Sequence, residues 1–411
     1  MSDFFQAGAV TTLHRLSHDG PERLEKQIEA LSRAHPAGLI LPALYSEFEH
    51  PAMRGIVDEL REARWLRRIA VAVGQATPEQ YQRACGFFRG FKAPVTTIWM
   101  EDPRIEDLFT SLDRAGLSPG SPGKGRTCWL AIGYLLAEGD CEIIALHDCD
   151  IRHYDRDLLA RLVFPVAHPS LDYDFSKGYY ARASGALYGR VKRLFFTPLI
   201  RAIRGLTSEP PLVRFLDSFR YALSGEYAMK TRLARAMRIP GNWGMEVGIL
   251  AEVHRNCLPS RVCEVDLCDN YEHKHRPLCP DEPGNGLRRM TREIASSLFH
   301  SMAREGVALS REVKSVLLLR YEELARDAIR RYRADAILNG LDYDEDTENR
   351  AVHAFAESLR ESSAEFEATG GCQPQEIPSW NRVQAAFPDI FERLLELSPG
   401  FAPAPRIYAI G

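Results

Sequence analysis

Residues 142–153 read "EIIALHDCDIRH". Four apolar residues, Ile143 to Leu146, run straight into His147 and then into two aspartates, Asp148 and Asp150, with Cys149 between them. A short apolar run without polar alternation, ending abruptly in polar groups, is the pattern of a strand buried on both faces. The chain on its N-terminal side repeats the theme. "GLILPAL" (38–44) precedes a helical pattern over 51–64, "RIAVAVG" (68–74) precedes "TPEQYQRACGFF", and "VTTIW" (95–99) precedes a helical stretch near 104–115. In the second of these units Thr77, Pro78 and Gln80 supply a capping residue, a proline at the first helical position and a glutamine at the third. A Pro/Gly-rich loop, "GLSPGSPGKG", then leads through the helical run "RTCWLAIGYLLAEG" into the strand quoted above. Four such units in succession predict a mostly parallel sheet covered by helices.

In such a sheet ligands bind beyond the carboxyl ends of the strands, where Asp148 and Asp150 fall. Two carboxylates one residue apart on a turn can both address a divalent cation whose shell is completed by water and phosphate oxygens. The natural third party is a nucleotide diphosphate. The same residues also suit capping, with Asp148 closing the strand and Asp150 opening a helix over "YDRDLLARLV" (154–163), and spacing alone does not separate the two readings. Gly123-Lys124-Gly125, at the start of the preceding helical run, offers exposed N–H groups, a helix dipole and an ammonium to a phosphate. It is not a triphosphatase loop, because Ser118 stands where G-x-x-x-x-G-K-[ST] needs its first glycine and Gly125 follows the lysine. His147, at the end of an apolar strand, reads as a packed, hydrogen-bonded residue.

The bulk properties narrow the class. The 411 residues are 45% apolar and 26% charged, with a formal net charge of −4, ordinary for a globular enzyme and without the basic surplus that nucleic acid calls for. The longest apolar runs fall far short of the roughly 20 residues a membrane span needs, and the N-terminus has no basic segment followed by an apolar one. Nine cysteines without paired spacing fit reduced thiols better than a disulfide framework. A cytoplasmic protein with neither nucleic-acid nor membrane partners is the expectation.

Past the aspartates come "KGYYARA" (177–183), "YGRVKRLFFTPLIRAI" (188–203), "LSGEYAMK" (223–230), "GNWGMEVGILAEV" (241–253) and "DNYEHKHRPL" (269–278). In this order, with "LPAL", "GKG" and "DCD" upstream, the segments resemble the glucosyl-3-phosphoglycerate synthases, retaining glycosyltransferases of the GT-A fold. The resemblance covers residues 37 to 280. It implies an α/β architecture: a GT-A, Rossmann-like, mostly parallel sheet with helices on both faces and a C-terminal helical extension. It implies transfer of glucose from UDP-glucose to 3-phosphoglycerate, helped by Mg2+ or Mn2+.

Carried over residue by residue, the resemblance makes Asp150 and His273 the metal ligands and puts Asp148 and Cys149 beside the ribose and diphosphate of the donor. Pro42, Ala43, Leu44 and Ser46 line the nucleotide, Lys124 contacts it, and Leu223 and Glu246 face the transferred sugar. Glu246, Lys124 and Asp148 form the catalytic set. Arg182, Gly189, Arg190, Val191, Lys192 and His275 are the acceptor candidates, since a phosphorylated carboxylate needs several cationic or N–H donors in a small volume. The first motif departs from the family pattern, continuing Tyr45-Ser46-Glu47 where relatives carry Asn-Glu-Glu. Transfer directly to glycerate, transfer of mannose from GDP-mannose, and a non-catalytic nucleotide-sugar-binding protein are the alternatives.

From 286 the sequence turns to long helical patterns with Glu/Arg-rich faces and Leu/Ala stripes. The expected organisation is a catalytic domain over 1–285, with a nucleotide-sugar half at 37–150 and an acceptor half at 151–285, followed by a helical extension over 286–411. A homodimer is expected; the Leu/Ala stripes pack on the catalytic domain or on a second subunit, and periodicity does not separate the two.

Overall fold

The computed structural model describes residues 6, 8–17, 21–272, 278, 285–307, 309–371 and 376–397. Its ten strands are β1 (Thr11–Leu13), β2 (Ala37–Leu44), β3 (Leu66–Gly74), β4 (Val95–Trp99), β5 (Ile143–Leu146), β6 (Phe175–Tyr180), β7 (Ala183–Ser184), β8 (Ala186–Leu187), β9 (Tyr227–Lys230) and β10 (Val262–Cys268). Eight form one sheet in the order β1-β10-β6-β9-β5-β2-β3-β4, and β7 and β8 make a small hairpin of their own. Among the described residues, β9 alone in the large sheet runs antiparallel, against β5 and β6.

Why the strands read as unbroken apolar runs is visible in how their residues divide. Leu39, Leu41 and Ala43 of β2, and Ile143 and Ala145 of β5, enter the apolar cluster on one face. Ile40, Ile144 and Leu146 enter the cluster on the other. With side chains alternating and both faces covered, every position must be apolar.

The helices carry local signals that the sequence displays. Thr77 caps Pro78–Phe87 in a reciprocal capping box with Gln80, and Asp102 caps Pro103–Arg114. Asp155 caps Arg156–Ala167 by accepting from the Asp157 N–H at 2.9 Å. That observation rules out Asp150 as the start of this helix: Asp148 and Asp150 lie upstream of its cap.

Connectivity sets where a ligand sits. From β2 the chain moves outward through β3 to β4, then returns to place β5 on the other side of β2. Beyond the carboxyl ends of β2 and β5 the sheet therefore has a topological switch point, where open α/β sheets bind ligands. The antiparallel β9 begins at this same edge, next to the end of β5, with Leu146 paired to Tyr227. The helices Gly286–Arg304, Arg311–Asn339 and Glu345–Ala368 pack on the helices and loops that cover the sheet, and Leu298, Tyr321 and Phe355 share an apolar cluster with the sheet.

Candidate active site

The site is built from four chain segments that meet at the switch point. Lys124 is the first residue of the helix Lys124–Glu138. Its Nζ lies 2.6 Å from Asp148 Oδ1, just past β5, and 3.2 Å from Glu246 Oε1, in the first turn of Met245–Asn256. Burial alone would pull the lysine down, but Asp148 and Glu246 outweigh it and hold the ammonium well above its ordinary pKa. The cluster is a cation shared by two carboxylates.

The glycines around Lys124 have a packing role that the motif did not reveal. A Cβ on Gly123 would stand 2.5 Å from the Gly241 carbonyl oxygen, and one on Gly125 would overlap the Pro240 carbonyl. Their absence lets the helix start close against residues 240–241, which brings Glu246 to the lysine. Gly225 does the same for Asp148, whose Oδ2 would lie 2.5 Å from a Cβ there.

Asp150 is mostly buried, and its carboxyl is raised to about 6, first by burial and then by Asp148. Glu47 holds the Leu44 N–H at 3.1 Å, and burial followed by the Asp150 charge raises it to about 8. Carboxyls whose like charges and burial resist ionisation are the chemistry that a hard divalent cation relieves. Among the described residues no group of three or more His, Cys, Asp or Glu side chains forms a metal cage. A site with one or two carboxylates, completed by water and phosphate oxygens, suits Mg2+ or Mn2+. His273 and His275, assigned to metal and acceptor, lie outside the described residues.

The other donor-side candidates are also placed. Pro42, Ala43 and Leu44 form the end of β2, and Ser46 is exposed beyond it. Leu223 is half-buried, in the turn that carries Gly225. Cys149 is buried, and its thiol is pushed well up by burial, which makes it an inert wall. His147 is structural: Nδ1 meets the Asp148 carbonyl at 2.9 Å, Tyr154 Oη lies 3.0 Å from Nε2, and burial lowers it to about 4.

Acceptor candidates divide into three environments. Arg182 Nη1 donates to Tyr221 Oη at 3.0 Å, close to Gly189, whose φ of +74° favours glycine. Arg190 Nε donates to Glu348 Oε1 at 2.7 Å, and Val191 is buried at the start of a π-helical turn, Val191–Phe196. Lys192 turns back to Thr197 Oγ1 at 2.7 Å, and burial lowers it to about 8.

Two buried groups beneath the site were not assigned roles from the sequence. Lys177 is fully buried in β6, donates from Nζ to the Ser224 carbonyl at 2.7 Å and lies 5.5 Å from the Tyr227 ring centre. Burial lowers it to about 8 despite Glu246 and Glu226 nearby. Glu226 accepts from Tyr180 Oη at 2.6 Å and Tyr271 Oη at 2.5 Å, whose rings stack 3.7 Å apart. Burial raises its carboxyl. A lysine inside a strand gives no local sign that it will be buried; only the turn at Ser224, far along the chain, makes it so.

A helix-covered, mostly parallel sheet with carboxylates and a lysine at its switch point fits the GT-A glycosyltransferase that the sequence resemblance implies. Across 398 residues the chain is 43% identical to the glucosyl-3-phosphoglycerate synthase of Persephonella marina, a match spanning 96% of this chain and 98% of that one. It is 37% identical to that of Methanococcoides burtonii over 402 residues, 96% of each. The chain belongs to the glucosyl-3-phosphoglycerate synthase family. Solved structures of glucosyl-3-phosphoglycerate synthase from Mycobacterium tuberculosis share the fold. One, with Mg2+ and UDP, has a TM-score of 0.51 at 23% identity over 73% of this chain and 88% of that one. Another, with Mn2+, UDP-glucose and phosphoglyceric acid, has a TM-score of 0.52 at 21% identity over 72% and 88%. No family model matches the chain. Among the described residues no helix is long and apolar enough to cross a membrane.

Proposed function

We propose that this chain transfers glucose from UDP-glucose to 3-phosphoglycerate with retention of the α configuration. The observation that carries the reading is the Lys124 ammonium held between Asp148 and Glu246 at the switch point, in a chain whose relatives over nearly their full length are named for this reaction. Asp150 and His273 would hold Mg2+ or Mn2+, which supplies neutralising charge to the diphosphate when bound.

The protein groups divide the remaining work. Lys124 is placed to offset charge that develops on the departing phosphate, and Asp148 keeps the ammonium oriented. Glu246 accepts hydrogen bonds from sugar hydroxyls and stabilises positive charge at the anomeric carbon. It is paired with Lys124, and the proposed route is front-face attack rather than a covalent glycosyl-enzyme. Arg182 and the loop around Gly189 to Val191 orient the acceptor hydroxyl, and the departing diphosphate oxygen takes its proton.

The test is product mass from purified protein incubated with Mg2+, a panel of nucleotide sugars and either 3-phosphoglycerate or glycerate. The expected product combines one hexose from UDP-glucose with 3-phosphoglycerate. Product from GDP-mannose alone, or from glycerate as readily as from its phosphate, would replace the proposed donor or acceptor.

A further inference from the structure

The segment 182–193 is secured from outside the sheet, by residues more than 130 positions further along the chain. Asp342, between the helices Arg311–Asn339 and Glu345–Ala368, donates its N–H to the Gly185 carbonyl at 2.8 Å and bridges Ala186. Arg193 donates from Nε to the Tyr188 carbonyl at 2.8 Å and from Nη2 to the Leu187 carbonyl at 3.2 Å, and its guanidinium sits 4.8 Å from the Tyr332 ring centre. Arg190 and Arg193 then converge on one carboxylate. Glu348 Oε1 accepts from Arg190 Nε at 2.7 Å, while Oε2 lies 3.0 Å from Arg193 Nη1. The Glu348 side chain is 3% exposed and that of Arg190 is 32% exposed.

We propose that Glu348, contributed by the C-terminal helices, is the positioning residue of the acceptor loop and sets the enzyme's grip on the phosphorylated acceptor. This rests on the acceptor assignment made above. The charge count supports it: two guanidinium groups on one carboxylate leave one positive charge in excess. Glu348 takes the Nε–H of Arg190, one of five donors on a guanidinium, so the fork can be fixed by the protein and still address an anion. A guanidinium fixed in advance loses less side-chain freedom when the anion arrives. Glu348 acts through Arg190 and does not itself meet the substrate; like charge would repel it.

The experiment is steady-state kinetics on Glu348→Gln, with UDP affinity measured separately by calorimetry. A glutamine can accept from one arginine only and turns an N–H2 group toward the other. The KM for 3-phosphoglycerate should rise about tenfold or more, as for a lost charge-assisted hydrogen bond, with UDP affinity within about twofold of wild type. In the double variant Glu348→Gln/Arg190→Gln, the acceptor KM should be no worse than in Arg190→Gln alone, because the two act as one unit. Tyr321→Phe controls for general loosening. It breaks an equally buried helix contact to the residue that follows this segment, the Tyr321 Oη donation to the Leu194 carbonyl at 2.9 Å, and should leave the acceptor KM unchanged. If the glutamine variant does not fold, Glu348→Asp, which keeps the charge but withdraws it, is read in the same way. An unchanged acceptor KM in folded Glu348→Gln, equal losses for donor and acceptor, or additive effects in the double variant would overturn the inference. Failure of the wild-type protein to use 3-phosphoglycerate would instead overturn the proposed function.

Discussion

The donor side and the acceptor side of this site are built on different principles. Lys124, Asp148 and Glu246 each sit within a residue or two of a strand or helix end at the switch point, and the close approach allowed by Gly123, Gly125 and Gly225 locks them together. The loop that carries Arg182, Gly189 and Arg190 has only a hairpin of two residues per strand of its own, and Arg190 and Arg193 are tied to Glu348 in the helices beyond 311. The lesson is one of division. On the proposed assignment, chemistry that must not shift is placed on the sheet edge, whereas the acceptor loop borrows its order from a remote element.

The largest expected effect attacks the donor side at its metal. Asp150→Ala, or chelation of wild-type protein, should abolish turnover, because a diphosphate leaving group without its cation faces uncompensated charge. Wild-type rates in Asp150→Ala in the presence of chelator would show that the site is misassigned. Next, Glu246→Gln should slow turnover by about 10²- to 10³-fold, the scale of one electrostatic contact in a transition state. Proton NMR should still show the α-anomer, and mass spectrometry should find no glycosylated protein; a trapped adduct on Glu246 would establish double displacement.

A smaller effect probes what lies beneath. Lys177→Met removes the donor to the Ser224 carbonyl, which steadies the turn that presses Gly225 on Asp148. The kcat should fall about tenfold with the acceptor KM nearly unchanged, as expected for an indirect misplacement. An acceptor KM that moved with it would blur the division between the two sides.

The smallest effect is a stability control in neither side's machinery. Glu264 in β10 accepts from Thr12 Oγ1 at 2.9 Å and the Arg220 N–H at 2.7 Å, yet burial still raises its carboxyl from 4.5 to about 7. A carboxyl raised in the folded state holds its proton there while the unfolded chain releases it. Its contribution to stability is therefore full below pH 4.5 and declines as pH climbs from 4.5 to about 7. Glu264→Gln should flatten that part of the stability profile by roughly 1–3 kcal/mol in denaturant titrations at pH 5 and pH 7, while both substrate KM values stay put. Identical slopes for the variant and wild type would remove Glu264 as the cause.

What the sequence displayed follows the same division. "VTTIW" is β4, residue for residue, and "GLILPAL" is β2 but for Ala37, because a strand buried on both faces writes itself as an unbroken apolar run. The capping box at Thr77 and the lysine at a helix start were legible because they are local signals. The helix after the aspartates begins at Arg156 rather than near 154 because Asp155 is its cap. Contacts between distant residues were not legible. Lys124 and Glu246 are 122 positions apart and Arg190 and Glu348 are 158 apart, and no periodicity links such pairs. Family resemblance brought the first pair together; it did not reach 348. Lys177 was hidden for a related reason, since its type predicts exposure and only its distant partners make burial tolerable.

The most direct test of the division is a pair of substrate titrations on Arg182→Ala, varying 3-phosphoglycerate at saturating UDP-glucose and then the reverse. Arg182 donates to Tyr221 beside Gly189, in the loop assigned to the acceptor. Loss of a charged hydrogen bond of about 1.5–3 kcal/mol should raise the acceptor KM roughly 10- to 150-fold and leave the UDP-glucose KM within about twofold. Equal increases for both substrates would contradict the account, because the acceptor loop and the donor edge would then be one inseparable site.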